Sequence, residues 1–305
     1  MTSFAAVVGA TGTGKSRFAL DLADELDRRG QPAEIVNADA MQLYRGMEIG
    51  TAKVPPRERR GIPHHLFDEL DVTDEASVEW FQARARGVVD DIVERGRVAL
   101  LVGGSGLYVS GAIYDFRFPG TDAAVRQRYE RMLEEKGPSA LFLLLAHRDP
   151  AAATAIGRHN GRRLVRALEV GEITGEPFVV GLPDDAPTWR DARVFGLQED
   201  RAVLVDRLDD RVDAMWRDGL LDEVRGLLPR GLERGVTASR AIGYAQAIAE
   251  LRGETSEQEA REATKGLTRR YARRQVSWFK RYPRVTWSTT GDAQAVSIAA
   301  DMLLG

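Results

Sequence analysis

The sequence predicts an α/β fold: a P-loop parallel-sheet core with a mostly helical insertion domain and C-terminal helices. Three observations carry this. The stretch GATGTGKS, residues 9–16, follows a short apolar run and opens a helix-periodic segment, the strand–loop–helix setting of a phosphate-binding loop. Apolar runs of strand length then alternate with amphipathic segments up to Gly104, the pattern of a parallel sheet. Around Phe116-Arg117-Phe118-Pro119-Gly120 the texture changes to charged, helix-periodic sequence.

Each element follows in order. Residues 4–8 read as a buried strand ended by the glycines. A helix starts near Lys15, with Phe18, Ala19, Leu22, Ala23 and Leu26 at helical spacing, and Gly30 and Pro32 stop it. Residues 33–36 form a second strand ending in Asn37-Ala38-Asp39. Residues 54–74, rich in proline and charge, read as irregular. Val78, Phe81, Ala85, Val88, Val89, Ile92 and Val93 mark a helix over 78–94, and 98–102 is a third strand closed by Gly103-Gly104. Helices are expected over 123–136, 139–146 and 150–171. A loop-like stretch with Gly175, Pro177, Gly181, Pro183 and Pro187 comes next. Residues 194–197 return to a strand. Helices over 201–218, 220–228, 239–251 and 256–282 and an edge strand at 285–287 complete the chain. The core is expected from 1–118 and 194–305, and the insertion from 119–193.

The bulk composition narrows the class. The 305 residues are 43% apolar and suffice for a sizeable core. There is no cysteine, which excludes disulfides and thiolate metal sites and points to a reducing cytosol. No charged-then-apolar leader precedes the first strand. The longest uninterrupted apolar run, residues 140–146, is far too short to span a bilayer. A cytoplasmic protein without membrane contact is expected. The net charge of −3 is unevenly spread: residues 268–287 hold seven Lys or Arg and no acid. Arg269, Arg270, Arg273 and Arg274 recur at helical spacing, the footprint of a phosphate-backbone partner. Trp278, Phe279 and Tyr282 follow, either as stacking platforms for unpaired bases or as core.

In a phosphate loop, the residues Gly9, Ala10, Thr11, Gly12, Thr13 and Gly14 turn backbone N–H groups toward one anion. Lys15 adds charge, the helix adds its positive end, and the Ser16 hydroxyl can ligate Mg²⁺. A nucleotide hydrolase also places an acid after an apolar strand to hold its metal. The strand over 98–102 ends Gly-Gly-Ser-Gly, and the acid stands instead at Asp39, after the second strand. That disfavours a motor or switch ATPase and leaves a small-molecule kinase or another transferase.

Several stretches together resemble the tRNA dimethylallyltransferase (bacterial tRNA isopentenyltransferase) family. They are GATGTGKS, NADAMQLYRGMEIGTAK, GIPHHLFD, LLVGGSGLY, GRRLVRALEV, SRAIGYAQ and TRRYARRQVSWFKR, in the family's order and spanning nearly the whole chain. The resemblance implies transfer of a dimethylallyl group from dimethylallyl diphosphate to the exocyclic amine of the adenosine 3′-adjacent to the anticodon. The acceptors are tRNAs reading codons that begin with U. The loop then holds the diphosphate of the prenyl donor. Asp39 corresponds to the base that takes the amine's proton, and Arg211 to an arginine that stabilises the leaving diphosphate. The alternatives, from the residues alone, are an Asp39 that only caps a turn or ligates Mg²⁺ through water, and an Arg211 that is an i,i+4 partner of Arg207 on a solvated face next to Asp209 and Asp210. The resemblance further places Asp39, Ala40, Met41, Gln42 and Ser105 at the target base, with Ala40 where the family usually has serine. It places Arg126, Arg162, Arg163, Arg166, Arg240 and Gly243 at the tRNA, which the basic band containing Arg270 and Arg274 joins. The anticodon stem-loop, dimethylallyl diphosphate and Mg²⁺ are the implied ligands, and a monomer is expected. His64 and His65 read as structural. A P-loop small-molecule kinase, a prenyltransferase acting on free adenine nucleotides, and a non-catalytic RNA-binding module are the alternatives.

Overall fold

The computed structural model describes residues 2–116, 118–178 and 187–305. Among them β1 (Phe4–Gly9), β2 (Ala33–Asn37), β3 (His64–His65), β4 (Val98–Gly103), β5 (Arg193–Gln198) and β6 (Thr286–Thr289) form one sheet in the order β3-β2-β4-β1-β5-β6. Every pairing is parallel, with Ala6 opposite Leu101 on one side and Val194 on the other. A parallel sheet is covered on both faces, so its inner strands are apolar at every position rather than at alternate ones. β1 and β4 are buried throughout.

The two faces take different helices. Ala5, Val7, Ile35, Leu100 and Val102 pack with α1 (Lys15–Arg28) and α11 (Ala295–Leu304) through Leu22, Leu26, Ala299 and Leu303. Strand residues alternate sides, so Phe4, Ala6, Val8 and Leu101 line the opposite face. There α2 (Val78–Glu94) meets β2 and β4, and α10 (Glu257–Phe279) meets β1. A second apolar cluster joins Tyr44 and Met47 to α7 (Arg201–Arg217), α8 (Leu220–Leu227) and α9 (Tyr244–Leu251), centred on Val212, Trp216, Leu220 and Tyr244.

The chain divides into two compact units, residues 1–115 with 187–305, and residues 116–186. The insertion therefore starts at Phe116 rather than 119 and ends at Ala186 rather than 193. The reason is a neck inside the larger unit: Tyr114 and Thr188 form an antiparallel bridge. Asp115 N–H donates to Pro187 O at 2.8 Å and Trp189 N–H to Ile113 O at 2.8 Å. The smaller unit contains α4 (Ala123–Arg148), α5 (Pro150–Ile156) and α6 (Gly161–Thr174). Gly137, at φ 72°, and Pro138 break α4 where the sequence reading separates two helices. Tyr129, Leu141, Leu145, Ala152, Leu164 and Leu168 form its core. Arg117, Gly181 and Pro183 lie outside the described residues.

Two local readings are corrected, and two helices had no reading. The stretch over 54–74 contains β3, whose register with Ile35 and Val36 extends the sheet by one edge strand. After Gly104 the chain turns at once into α3 (Gly106–Ile113). Residues 239–251 are not one helix: a 3₁₀ turn over Ala238–Arg240 is separated from α9 by Gly243, at φ 92°. α11 is a helix that no reading anticipated, although Ala295, Ala299 and Leu303 carry its spacing.

At the amino end of β2, Glu34 is 2% exposed. Its carboxylate accepts from Arg95 Nη2 at 3.0 Å, Arg97 Nη1 at 3.0 Å and His65 Nε2 at 2.7 Å. Arg95 foremost, then His65, holds this carboxyl down to about 2 against the opposing effect of burial. A carboxyl whose pKa falls on folding adds stability above its unfolded value, and the gain is lost as pH falls. The Glu34→Gln variant is therefore expected to be less stable than the native chain at neutral pH. Urea unfolding at stepped pH should show the two stabilities converge between about 4.5 and about 2.

Candidate functional site

The phosphate loop spans the gap between β1 and α1. Gly12 lies at φ 82°, in the left-handed region that strains any side chain. A Cβ there would also stand 2.9 Å from Leu208 of α7. Thr13 is buried and donates from Oγ1 to Ala10 O at 2.8 Å. Lys15 Nζ donates to the same carbonyl at 2.7 Å. Burial pushes the Lys15 ammonium down to about 8; Asp39 acts against that shift and Arg211 reinforces it.

Arg211 sits on the inner side of α7, not on a solvated face. Its Nη1 donates to Thr11 Oγ1 at 3.0 Å, and its Nε is buried with no partner among the described residues. Burial lowers its pKa too, again opposed by Asp39. Its neighbour Arg207 turns to Gly12 O at 2.9 Å and Glu199 Oε2 at 2.9 Å, one turn away.

Asp39 follows β2. Its Oδ1 accepts from Met41 N–H at 3.0 Å, capping the 3₁₀ turn over Ala40–Leu43, and its own N–H donates to Asn37 Oδ1 at 2.8 Å. Oδ2 takes no hydrogen bond from a described residue. Asp39 is thus a turn cap with one carboxylate oxygen to spare. Ala40 N–H donates to Ser105 Oγ at 3.1 Å, which ties this turn to the end of β4.

Part of this set lines a cavity of about 240 Å³ within the larger unit. Thr11, Asp39, Ala40, Met41, Ser105, Arg211, Arg240 and Arg274 contribute to it. Val212, Met215, Ala241, Ile242 and the ring of Tyr244 supply an apolar wall. Tyr271 lines it as well; burial, and then Asp39, push its hydroxyl up to about 12. Gln42 stands behind the turn, with Nε2 donating to Thr51 O at 3.0 Å. Gly243 precedes α9 and is not a lining residue, and Arg270 is exposed on α10.

Along α10, Arg270, Arg273 and Arg274 are exposed, while Arg269 pairs with Asp209 at 2.7 Å. The aromatics belong to the core: Phe279 and Tyr282 are buried, and Trp278 Nε1 donates to Ser110 Oγ at 3.1 Å. That packing takes the Phe279 and Tyr282 rings out of reach of a base, while Trp278 is half-buried. In the smaller unit, Arg126 Nη2 and Arg166 Nη1 lie 3.0 and 2.9 Å from Oε2 of Glu169, which is fully buried. A buried carboxylate needs such partners, so these two arginines have a structural role. Arg162 and Arg163 are exposed on the first turn of α6. No three His, Cys, Asp or Glu side chains among the described residues come together as a metal-binding group, and His65 is the partner of Glu34.

Sequence reasoning missed Gln275, Glu223 and Lys53. Gln275 is 4% exposed and links two loops at the site. Glu223 accepts from the N–H groups of Glu48 and Ile49 and from Tyr244 Oη. Lys53 is buried against Tyr44 O, Glu48 and Asp68. One signal was available: Ala272, Gln275 and Phe279 share a helix face, and an amide on a buried face must find partners.

The geometry can therefore hold an anionic group at the loop, with attached hydrocarbon against the apolar wall and a carboxylate beside it. The model of the IPP transferase family matches residues 42–282. The chain is 58% identical to tRNA dimethylallyltransferase of Clavibacter sepedonicus over 99% of its own length and 98% of that protein. It is similar to the crystal structure of the tRNA isopentenylpyrophosphate transferase of Bacillus halodurans, with a TM-score of 0.73 and 35% identity over 100% of this chain and 96% of that one. A eukaryotic dimethylallyltransferase acting on tRNA has a TM-score of 0.77 at 25% identity, covering 99% of this chain and 80% of that one.

Affinity for inorganic diphosphate is expected to fall as pH rises through about 8, where Lys15 loses its charge. Titration calorimetry from neutral to alkaline pH measures this, and Lys15→Met should flatten the profile. Stability runs the other way. The unfolded chain binds the extra proton between about 8 and 10.5, so folding strengthens across that interval.

Proposed function

The chain belongs to the IPP transferase family, and we propose that it transfers a dimethylallyl group from dimethylallyl diphosphate to tRNA. The acceptor is the exocyclic amine of the adenosine on the 3′ side of the anticodon, in tRNAs reading codons that begin with U. The observation that carries this reading is that Asp39 lines the same cavity as Thr11 of the phosphate loop and Arg211.

The chemistry needs few groups. An adenine amine is a weak nucleophile, because its lone pair is delocalised into the ring. As the nitrogen attacks the allylic carbon, the bond from that carbon to the diphosphate oxygen breaks, and the amine's proton passes to the Asp39 carboxylate. Negative charge grows on the departing oxygen. Lys15, the loop amides and the Arg211 guanidinium meet it there, in a setting where burial strengthens each interaction. The Ser16 hydroxyl, a hard oxygen donor beside Lys15 on the first turn of α1, would hold Mg²⁺, which would supply further charge neutralisation for the diphosphate.

The tRNA side of the reading rests on the exposed cations. Arg270 and Arg274 of α10 meet backbone phosphates, as do Arg162 and Arg163 of the inserted unit. Arg126 adds the Nη1 that Glu169 leaves free, whereas Arg166 is held by Glu169, Pro119 O and Gly120 O and contributes through its charge. Ala40, Met41, Gln42 and Ser105 border the target base, and Arg240 and Gly243 the neighbouring backbone. The protein works as a cytoplasmic monomer; no helix among the described residues is long and apolar enough to cross a membrane.

A transfer assay tests the reading directly. With Mg²⁺ and labelled dimethylallyl diphosphate, label should enter unmodified tRNA, with none on AMP and no turnover of ATP. Label on AMP would mean a free-nucleotide prenyltransferase, and ATP turnover without transfer a kinase. Replacing Asp39 by Asn should leave donor and tRNA binding intact while single-turnover transfer falls by about 10²–10⁴-fold. An unchanged single-turnover rate would remove Asp39 from the chemistry.

A further inference from the structure

α10 presents its arginines to solvent on one side and the Gln275 carboxamide to the interior on the other. An amide so buried is tolerated only when its polar atoms are paired. The two backbone partners of Gln275 come from two different loops. Oε1 accepts from Thr11 N–H at 2.8 Å, and Nε2 donates to Gly104 O at 2.8 Å. A Cβ at Gly104 would stand 2.2 Å from Nε2, so the loop after β4 admits the amide only because glycine is there.

The Thr11 N–H and the Ala10 carbonyl belong to one planar peptide unit. Holding the N–H fixes the plane, and with it the direction of Ala10 O. That oxygen is the acceptor for Lys15 Nζ at 2.7 Å and Thr13 Oγ1 at 2.8 Å. The Thr11 side chain is also the acceptor for Arg211 at 3.0 Å. Lys15 and Arg211 are therefore both oriented through the peptide that Gln275 grips. On its other arm Gln275 holds Gly104, and the next residue, Ser105, holds the Asp39 turn through Ala40 N–H at 3.1 Å.

We infer that Gln275 is a positioning residue for prenyl transfer: its carboxamide orients the Ala10–Thr11 peptide, and through it sets Lys15 and Arg211 for the donor's diphosphate. This rests on the reading of residues 9–16 as the donor site. The test uses the full chain and the Gln275→Met variant, which keeps the length of the side chain and removes both hydrogen bonds. Inorganic diphosphate with Mg²⁺ is the calorimetric probe, and KM is measured for dimethylallyl diphosphate and for tRNA. Diphosphate affinity should weaken, and donor KM rise, by about tenfold, with little change in the KM for tRNA. In a double-mutant cycle, Lys15→Met should cost less diphosphate affinity in the Gln275→Met background than in the native chain. Additive effects would overturn the inference. So would unchanged diphosphate affinity, or equal increases in both KM values with a lowered melting temperature. Should Gln275→Met fail to fold, Gln275→Leu likewise removes both hydrogen bonds and is judged by the same cycle. A native chain that does not bind diphosphate would overturn the donor-site reading and this inference together. A native chain that binds it, beside an unaffected variant, would overturn this inference alone.

Discussion

Two cations and one carboxylate meet at the carboxyl end of β1 and β2, and the site is organised by that imbalance. Lys15 and Arg211 are both disfavoured by burial, each is eased by Asp39, and Arg211 further depresses Lys15. Concentrating like charge away from water is costly, and an incoming anion relieves it. The arrangement persists because backbone and side-chain acceptors hold each cation: Ala10 O for Lys15 and Thr11 Oγ1 for Arg211. The sheet beneath supplies the rigidity. β1 and β4 are buried on both faces and have no freedom to shift under the loops they carry.

The turn that bears Asp39 needs its own support, since residues 40–53 contain little regular structure. Lys53 gives it a buried anchor, with an ammonium shared among Tyr44 O, Glu48 and Asp68. Glu223 reaches in from α8 to take two consecutive N–H groups, those of Glu48 and Ile49, and the Tyr244 hydroxyl. Burial and then Glu223 push that hydroxyl well above its usual range, so it remains a donor. The Tyr244 ring then forms part of the apolar wall. One residue thus serves the packing of the second core, the pairing of Glu223 and the shape of the cavity.

α10 has two faces of different chemistry. Its capping box at Ser256 and Glu259 starts the helix. Its inner face carries Ala260, Thr264, Ala272, Gln275 and Phe279, and its outer face Arg270, Arg273 and Arg274. Tyr271 and Arg274 border the cavity between them. The Trp278, Phe279 and Tyr282 side chains are consumed in fastening the helix to α3 and the sheet.

Wherever a local pattern has a single physical meaning, the sequence by itself determined the outcome. Glycines in GATGTGKS permit only a sharp turn before a helix, continuous apolar runs mark strands buried on two faces, and a helical period marks α1, α2 and α7. Those patterns reveal a parallel α/β core, its phosphate loop and the carboxylate at Asp39. Tertiary structure alone decided what depends on partners distant in the chain. Arg211 reads as a surface residue until α7 packs against a loop 200 positions away. Arg126 and Arg166 read as free cations until Glu169 is found buried between them. Gln275 looks like one polar residue in a basic helix, and its two partners lie 264 and 171 positions away. β3 has too few residues to announce itself; its pairing with β2, and His65 with Glu34, make it a strand. Periodicity reports which face of an element is buried, but not what the buried groups find there.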